Sequence, residues 1–383
     1  MKIFIVGGGF AGIKAAKELS KGLSNLHEIF LINKQGYTTM LPNLPEIVSN
    51  RLLENDITEN ITNLIPSAVK FLKEEISSID YDNKKIYTKE NEYTYDYLVM
   101  ALGSKTNFFN FNQNLDKVNV LESLSSAENI RKKFLDHLKE REEVNLVISG
   151  AGFTGIELAC NLYDLCEKES KKINVTMVDL GKTLLPMVSE KSRAHILNKF
   201  DKLKFNISTE NEIKIFDGEN ITLKSGEFIS NVFFCWCSGV KTSLKPSGQY
   251  DTLPDGRILA DKFLSIPKYP EVFVAGDSAA IKDEKTNTIL RRAVNFAEMS
   301  GKTAGKNLAL HIKGKEMKVF NPIDLGWVIP MYITSVGVIL GKEIRGRKGI
   351  FMHYLICGIK NYSFKNFCKE FISAFKYAFI KLK

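Results

Sequence analysis

One phosphate-binding turn occurs twice in this chain, each time between a β-branched strand and an apolar helix. The first copy is Ile3-Phe4-Ile5-Val6-Gly7-Gly8-Gly9-Phe10-Ala11-Gly12. The second is Leu146-Val147-Ile148-Ser149-Gly150-Ala151-Gly152-Phe153-Thr154-Gly155. G-x-G-x-x-G that follows a strand and opens a helix marks a dinucleotide site. Gly7 and Gly150 make the tight turn, Gly9 and Gly152 let the backbone approach a pyrophosphate, and Gly12 and Gly155 let the helix pack on its strand. The helix N-terminus then presents free N–H groups and a positive dipole end to the phosphates. The expected fold class is therefore α/β, with two Rossmann-like dinucleotide-binding domains.

The strands and helices read along the chain place the second domain inside the first. At 383 residues the chain is long enough for two or three cores. The expected division is 1–110 for the first part of one nucleotide domain, 111–245 for the other, 246–315 for the return, and 316–383 for a C-terminal segment. Expected helices are Ile13 to Leu19, Ser125 to Glu143, Gly155 to Cys166, and one beginning near Arg292. Expected strands include Glu28 to Asn33, Tyr97 to Ala101, Val144 to Ser149, Asn174 to Asp179, Val232 to Cys237 and the returning Glu271 to Asp277. Tyr37 to Pro45 reads as a loop, and Val69 to Asp80, Lys84 to Thr88 and Glu92 to Tyr95 as a β meander. The uncharged run Leu325 to Gly341 approaches the length of a membrane span. Gly326, Pro330, Gly337 and the β-branched stretch Ile333 to Ile339 make it two strands around a turn instead.

The net charge of +9 fits anionic cofactors, nucleic acid, an anionic membrane surface or simply a lysine-rich proteome. Cys160, Cys166, Cys235, Cys237, Cys357 and Cys368 form no C-x-x-C pair, so neither a zinc ribbon nor a redox disulfide is written here. They read as core cysteines of a reducing, cytosolic environment, and no metal site is expected. Met1-Lys2 runs straight into the first strand, so no signal peptide is expected.

After the second strand of such a unit an acidic residue accepts hydrogen bonds from ribose hydroxyls. Asp179 holds that position in the second unit and would repel a 2′-phosphate, which predicts NADH over NADPH. The first unit has Asn33 there, followed by Lys34. Asn33 either accepts a ribose hydrogen bond without charge or merely ends its strand. Ala275-Gly276-Asp277 ends the returning strand, where a glycine permits close approach and an aspartate can bind a cofactor's hydroxyl groups.

Taken together these segments resemble the two-dinucleotide-domain flavoproteins, and most of all the type II NADH dehydrogenases, single-subunit NADH:quinone oxidoreductases. The matching pieces are the two glycine turns, Met40 to Glu46, Tyr95 to Gly103, Ile156 to Ala159, Leu184-Leu185-Pro186, Trp236 to Val240 and Val274 to Ala280. The resemblance implies FAD on the first domain, held by Gly7, Gly9, Gly12, Asn33, Gly276 and Asp277. It implies NADH on the second, held by Gly150, Gly152, Gly155 and Asp179. Phe10, Ala11, Lys34, Pro42, Gly103, Ala297 and Gly239 complete the expected cofactor contacts. Glu157 matches a family glutamate beside the nicotinamide and acceptor pocket, where a carboxylate could pass protons; the alternative is a first-turn Glu complementing the helix dipole. The family's usual Ala-Gln-x-Ala-x-Gln is replaced by Val294-Asn295-Phe296-Ala297-Glu298-Met299, so Asn295 and Met299 border the expected acceptor pocket in place of two glutamines.

From Phe364 to Lys383 the residues Phe364, Phe367, Phe371, Phe375, Ala378 and Phe379 recur at helical spacing beside Lys365, Lys369, Lys376, Lys381 and Lys383. This predicts an amphipathic helix, either lying on an anionic membrane surface or docked on the core or on a second copy. The expected function is a non-proton-pumping FAD-dependent NADH:quinone oxidoreductase, peripheral on the cytoplasmic side of the membrane. Its partners would be a quinone or other electron acceptor, the membrane surface, a homodimer as a further option, and no nucleic acid. The rival readings are a soluble NADH-dependent reductase of a small electron-carrier protein and a sulfide:quinone oxidoreductase-like enzyme using Cys160 or Cys357. A non-enzymatic nucleotide sensor is a third.

Overall fold

The computed structural model describes residues 1–23 and 27–379. The chain folds as two compact units. One is Met1–Thr38, Glu59–Lys105 and Val240–Asp324; the other is Thr39–Thr58, Thr106–Gly239 and Leu325–Lys383. The grouping differs from the expected division: 39–58, 106–110 and the chain from Leu325 onward pack with the second unit, and 240–245 and 316–324 with the first.

The first unit is built on a six-stranded sheet ordered Ser265–Ile266, Tyr269–Val274, Tyr97–Met100, Lys2–Val6, Glu28–Asn33, Val69–Lys73. All neighbours run parallel except the outermost Ser265–Ile266. Its central strands are buried on both faces, from Ile3 to Val6 and from Leu98 to Met100, as a parallel sheet covered by helices requires. The helix Phe10–Leu23 packs on this sheet, and the returning helix Val294–Ile312 packs on Phe10–Leu23. Two glycines set that approach. A Cβ on Gly301 would stand 2.1 Å from the Ala11 carbonyl oxygen, and one on Gly305 would stand 2.6 Å from that of Ala15. Val69–Lys73 is thus an edge strand of the main sheet rather than part of the meander, which consists of Ile76–Asp80, Lys85–Thr88 and Glu92–Thr94. The helix expected near Arg292 begins at Val294, and the first helix begins at Phe10, directly after the loop.

The second unit repeats the plan with five parallel strands ordered Asn119–Val120, Val232–Trp236, Glu143–Ser149, Lys172–Val178, Phe205–Ser208. Helix Leu124–Lys139 starts where the Ser123 hydroxyl accepts the Ser126 amide at 3.1 Å, and it ends before Glu143, which opens the next strand. Helix Phe153–Lys168 follows the second glycine turn. The expected loop Tyr37 to Pro45 holds a 3-10 turn, Leu41–Asn43, and a short helix, Leu44–Val48. Pro42 and Pro45 sit in first-turn positions, where the missing N–H costs nothing.

Within this unit the uncharged run forms strands Gly326–Met331 and Thr334–Ile339, joined by a third, Lys342–Arg345. Helices Arg347–Lys360 and Phe364–Phe379 follow. The last helix is amphipathic in an unusual sense. Its inward face is Asn366, Glu370, Ser373, Ala374, Tyr377 and Ala378, whereas Phe364, Phe371, Ile372, Phe375 and Phe379 face outward. Ala378 therefore leaves the aromatic stripe, and Lys381 and Lys383 lie outside the described residues.

Candidate functional site

Both glycine turns take the same shape for the same steric reasons. In the first unit the Gly7 amide donates to the Ile32 carbonyl at 2.9 Å, and Gly7 has φ +103°. A Cβ there would stand 2.2 Å from the Ala101 oxygen, and one on Gly12 would stand 1.8 Å from the Gly7 oxygen. Gly9 differs, because a Cβ on it meets nothing within 4 Å. The loop is closed on the protein side and open in front, the form a pyrophosphate needs. In the second unit the Gly150 amide donates to the Val178 carbonyl at 2.7 Å, Gly155 would clash with the Gly150 oxygen at 2.0 Å, and Gly152 is open. Gly152 also caps the helix Phe153–Lys168 with no side chain on its free amides. Both loops therefore fit a dinucleotide.

The residue after each second strand clamps its own loop. Asp179 accepts the Ala151 amide at 2.8 Å with Oδ2 and the Gly181 amide at 2.7 Å with Oδ1. Asn33 accepts the Gly8 amide at 2.8 Å and donates through Nδ2 to the Gln35 carbonyl at 2.8 Å. Asn33 thus does more than end its strand. Lys34 pairs with Glu75 at 2.7 Å on the surface.

The other residues expected around the flavin nucleotide in the first unit converge. Ser104 donates to Asp277 Oδ2 at 3.0 Å, the Gly103 amide donates to the Ser278 hydroxyl at 3.0 Å, and the Gly276 amide donates to the Ser300 hydroxyl at 2.9 Å. Gly276 has φ +65°, and a Cβ there would meet the Ala11 and Ala297 methyls at 3.0 and 3.7 Å. The start of Phe10–Leu23, the end of the returning strand and the start of Val294–Ile312 therefore meet at one point. Burial pushes the Asp277 carboxyl above its ordinary range, against the Ser104 hydrogen bond and the charges of Arg292 and Arg257. Those arginines escaped the sequence reading. Asp255 holds Arg257 and Arg292 together, at 2.9 and 3.0 Å.

Asn295 and Met299 lie one turn apart on the returning helix. The Asn295 amide nitrogen donates to the Ile323 carbonyl at 2.5 Å and reaches Met299 Sδ at 3.6 Å. Pro42 sits in the 3-10 turn of the second unit. In that unit Gly239 follows the strand Val232–Trp236, and its carbonyl accepts the Asn107 amide at 3.0 Å.

Glu157 stands one turn into helix Phe153–Lys168. It is half-buried by surface area, and desolvation by the surrounding protein, followed by the charge of Glu46, pushes its carboxyl well above the ordinary carboxylate range. Desolvation of this kind favours the neutral, proton-holding form over the carboxylate, the direction a proton donor needs. Further acids lie in the same unit. Glu46 is 1% exposed and Glu370 is 0% exposed. Glu370 Oε1 accepts the Asn43 side-chain amide at 2.5 Å and that of Asn361 at 3.5 Å, and His353 Nε2 lies 3.6 Å from Glu46 Oε1. The sequence held a signal for Glu370, since Asn366, Glu370, Ser373 and Tyr377 recur at i+3 and i+4 opposite the phenylalanines. Cysteine chemistry finds no support. All six thiols are free, Cys160 is buried with its thiol pushed up to about 12 by desolvation, and burial likewise raises Cys357. Inert core thiols behave this way, whereas reactive ones are exposed and acidic. Among the described residues no group of three or more His, Cys, Asp or Glu is placed to hold a metal ion.

Two glycine-loop Rossmann units, one inserted in the other, define the two-dinucleotide oxidoreductase class. The chain belongs to the pyridine nucleotide-disulphide oxidoreductase family, whose model matches residues 1–301. It is 28% identical to a type II NADH:quinone oxidoreductase of Staphylococcus aureus, over 93% of this chain and 94% of that protein. Its fold matches NDH2 of Plasmodium falciparum solved with NADH, at TM-score 0.84 and 19% identity over 99% and 98% of the two chains. It also matches the sulfide:quinone oxidoreductase of Aquifex aeolicus, at TM-score 0.78 and 17% identity over 100% and 96%.

Proposed function

We propose that this protein is an FAD-dependent NADH:quinone oxidoreductase that does not pump protons. The observation that carries the reading is the pair of open-fronted glycine loops, each clamped by the residue after its second strand. The Staphylococcus aureus relative, similar over nearly the whole chain, supports the same reading. FAD belongs to the first unit, where Gly7, Gly9, Gly12, Asn33, Gly103, Gly276 and Asp277 would hold it. NADH belongs to the second, where Gly150, Gly152, Gly155 and Asp179 would hold it. When bound, FAD would supply the hydride-accepting, two-electron chemistry, while the chain's own residues bind and orient the nucleotides and supply protons. Glu157 is the proton donor nearest in sequence to the nucleotide loop.

The protein attaches to the cytoplasmic face of an anionic membrane through the helix Phe364–Phe379. Its outward phenylalanines lie beside Lys365 and Lys376, and its inward face is polar and bonded. No described helix is long and apolar enough to cross a membrane.

The test is stopped-flow absorbance of the purified yellow protein, mixed anaerobically with NADH and then with a short-chain quinone. Fast bleaching and fast reoxidation are expected. Bleaching by NADH without reoxidation by quinone would turn the acceptor assignment toward an electron-carrier protein.

A further inference from the structure

Reducing a quinone creates a proton demand that the glycine loops do not meet. NADH + H⁺ + Q gives NAD⁺ + QH₂: the hydride brings two electrons and one proton, so a second proton must come from water in each turnover. Within the second unit the helix Phe364–Phe379 buries groups suited to carry it. We propose that Glu370, with Glu46 and His353 beyond it, forms an internal proton-supply line that refills Glu157, with the Asp56–Lys369 pair as its outer end. The inference rests on the quinone reading above.

Contacts define the outer part of the line and the Glu46–His353 pair, and the charge of Glu46 couples the inner part to Glu157. At the outer end Lys369 Nζ lies 3.6 Å from Asp56 Oδ1, and the Lys369 side chain is 49% exposed. Asn361 positions Glu370 without passing a proton itself, since its side-chain amide donates both to the Asp56 backbone carbonyl at 2.9 Å and to Glu370 Oε1 at 3.5 Å. Asn43 fixes the same oxygen of Glu370, while Glu370 Oε2, Asn43 Oδ1 and Glu46 Oε2 have no hydrogen-bond partner among the described residues. Free valences on buried carboxyl oxygens let a proton arrive or leave without breaking a structural bond. Glu46 follows, 3.6 Å from His353 Nε2, and its charge acts on both Glu370 and Glu157.

Anchoring the helix does not require these acids. Asn366 donates to the Thr58 carbonyl at 3.1 Å, and the Arg51 guanidinium lies 4.7 Å over the Tyr377 ring. Enclosed acids are costly where only packing is needed. The titratable groups acting on Glu370 are Glu46 of Leu44–Val48, Asp56 of Glu54–Ile57 and Cys357 of Arg347–Lys360. Burial, then the charge of Glu46, holds the Glu370 carboxyl up to about 9, so it stores a proton at neutral pH. In each turnover the Glu370 O–H bond breaks, the proton moves by way of Glu46 or His353 to a Glu157 that has just given up its own, and water at the Asp56 end reprotonates Glu370. No electron moves along this path.

The test uses the full-length FAD-loaded protein and Glu370→Gln, which keeps an acceptor oxygen for Asn43 and Asn361 but holds no titrating proton. Ferricyanide takes electrons without protons, so it separates electron flow from proton supply. Because Glu370 only refills the donor, quinone turnover is expected to fall about tenfold, less than the roughly 10²–10⁴-fold contribution of a directly acting acid–base group. Its alkaline limb should move to lower pH and its solvent isotope effect should rise, while ferricyanide turnover is unchanged. Infrared spectra should show a protonated carboxyl in the wild type that titrates near the value above and is missing from the variant. Equal losses with both acceptors, an unchanged pH profile, or a wild-type spectrum without that band would overturn the proposal. Should Glu370→Gln not fold, His353→Gln gives the same acceptor comparison. A wild type that reduces ferricyanide but not quinone would end the quinone reading, while the infrared band would still decide whether Glu370 stores a proton.

Discussion

Asp179 Oδ2 accepts the backbone amide of Ala151 at 2.8 Å, the bond that Asn33 Oδ1 makes to Gly8 in the other unit. One side chain therefore shapes the loop and leaves its remaining lone pairs for a ribose. The two loops differ in charge, since only Asp179 repels a 2′-phosphate. Asp179→Asn should keep the loop, because Asn33 already performs this role neutrally. It should lower the NADH-over-NADPH ratio of kcat/KM by about tenfold, the size of one charged hydrogen bond. Equal ratios in variant and wild type would remove Asp179 from nucleotide selection.

Gly12 and Gly155 have the same tight environment in separate units, which makes a paired experiment informative. A methyl on either would sit 1.8 or 2.0 Å from the carbonyl of the loop's first glycine. Overpacking of this kind costs about 1–3 kcal/mol and deforms the loop. Gly12→Ala should purify with little flavin. Gly155→Ala should stay yellow but need far more NADH for bleaching, as read by flavin absorbance and an NADH titration. The reverse pattern would exchange the two cofactor assignments.

Both loops were legible in the sequence because their constraint is local: six consecutive positions, with glycine at the first, third and sixth, decide whether a backbone can turn, open and re-enter a helix. Sheet membership is not local. Val69–Lys73 pairs with Glu28–Asn33 across the intervening stretch, and no period in its own residues distinguishes that edge from a meander. The meeting of Gly276, Ala11 and Ala297 was expected only through resemblance, and the Asp255 clasp on Arg257 and Arg292 not at all. The inner face of the last helix was hidden by its louder neighbour. In the sequence only the phenylalanine stripe and the lysines beside it stood out, and the stripe that is buried here, Asn366 with Glu370, was not singled out.

Glu370 also makes stability depend on pH, and the sign follows from its raised carboxyl. An unfolded glutamate ionises near pH 4.5 while the folded one waits until about 9. The folded state therefore binds the extra proton between those values, and stability falls as pH rises through that window. Between pH 6 and 9 the wild type should lose on the order of 2 kcal/mol more than Glu370→Gln, a discounted fraction of the full shift. Calorimetry of both proteins across that range checks it. Parallel curves would mean that Glu370 ionises in the folded protein as it does in water.

The outward phenylalanines give the last prediction. A water-soluble protein seldom leaves five large apolar side chains contiguous on one helix, and here Phe364 is 80% exposed, Ile372 63% and Phe379 60%. Phe351 of the preceding helix extends the patch, 5.4 Å from Phe375 and 5.9 Å from Phe379. Sinking one phenylalanine into an interface gains about 1.5–3 kcal/mol, and each nearby lysine adds about 1 kcal/mol on anionic lipid. Phe371→Ser with Phe375→Ser should then weaken binding to anionic vesicles about a hundredfold or more. The same pair should leave the melting temperature nearly unchanged, because neither ring is buried in the unit's core. A second copy covering this face would give the opposite result: vesicle binding would be absent in the wild type, and the substitutions would shift the sedimentation coefficient from dimer to monomer.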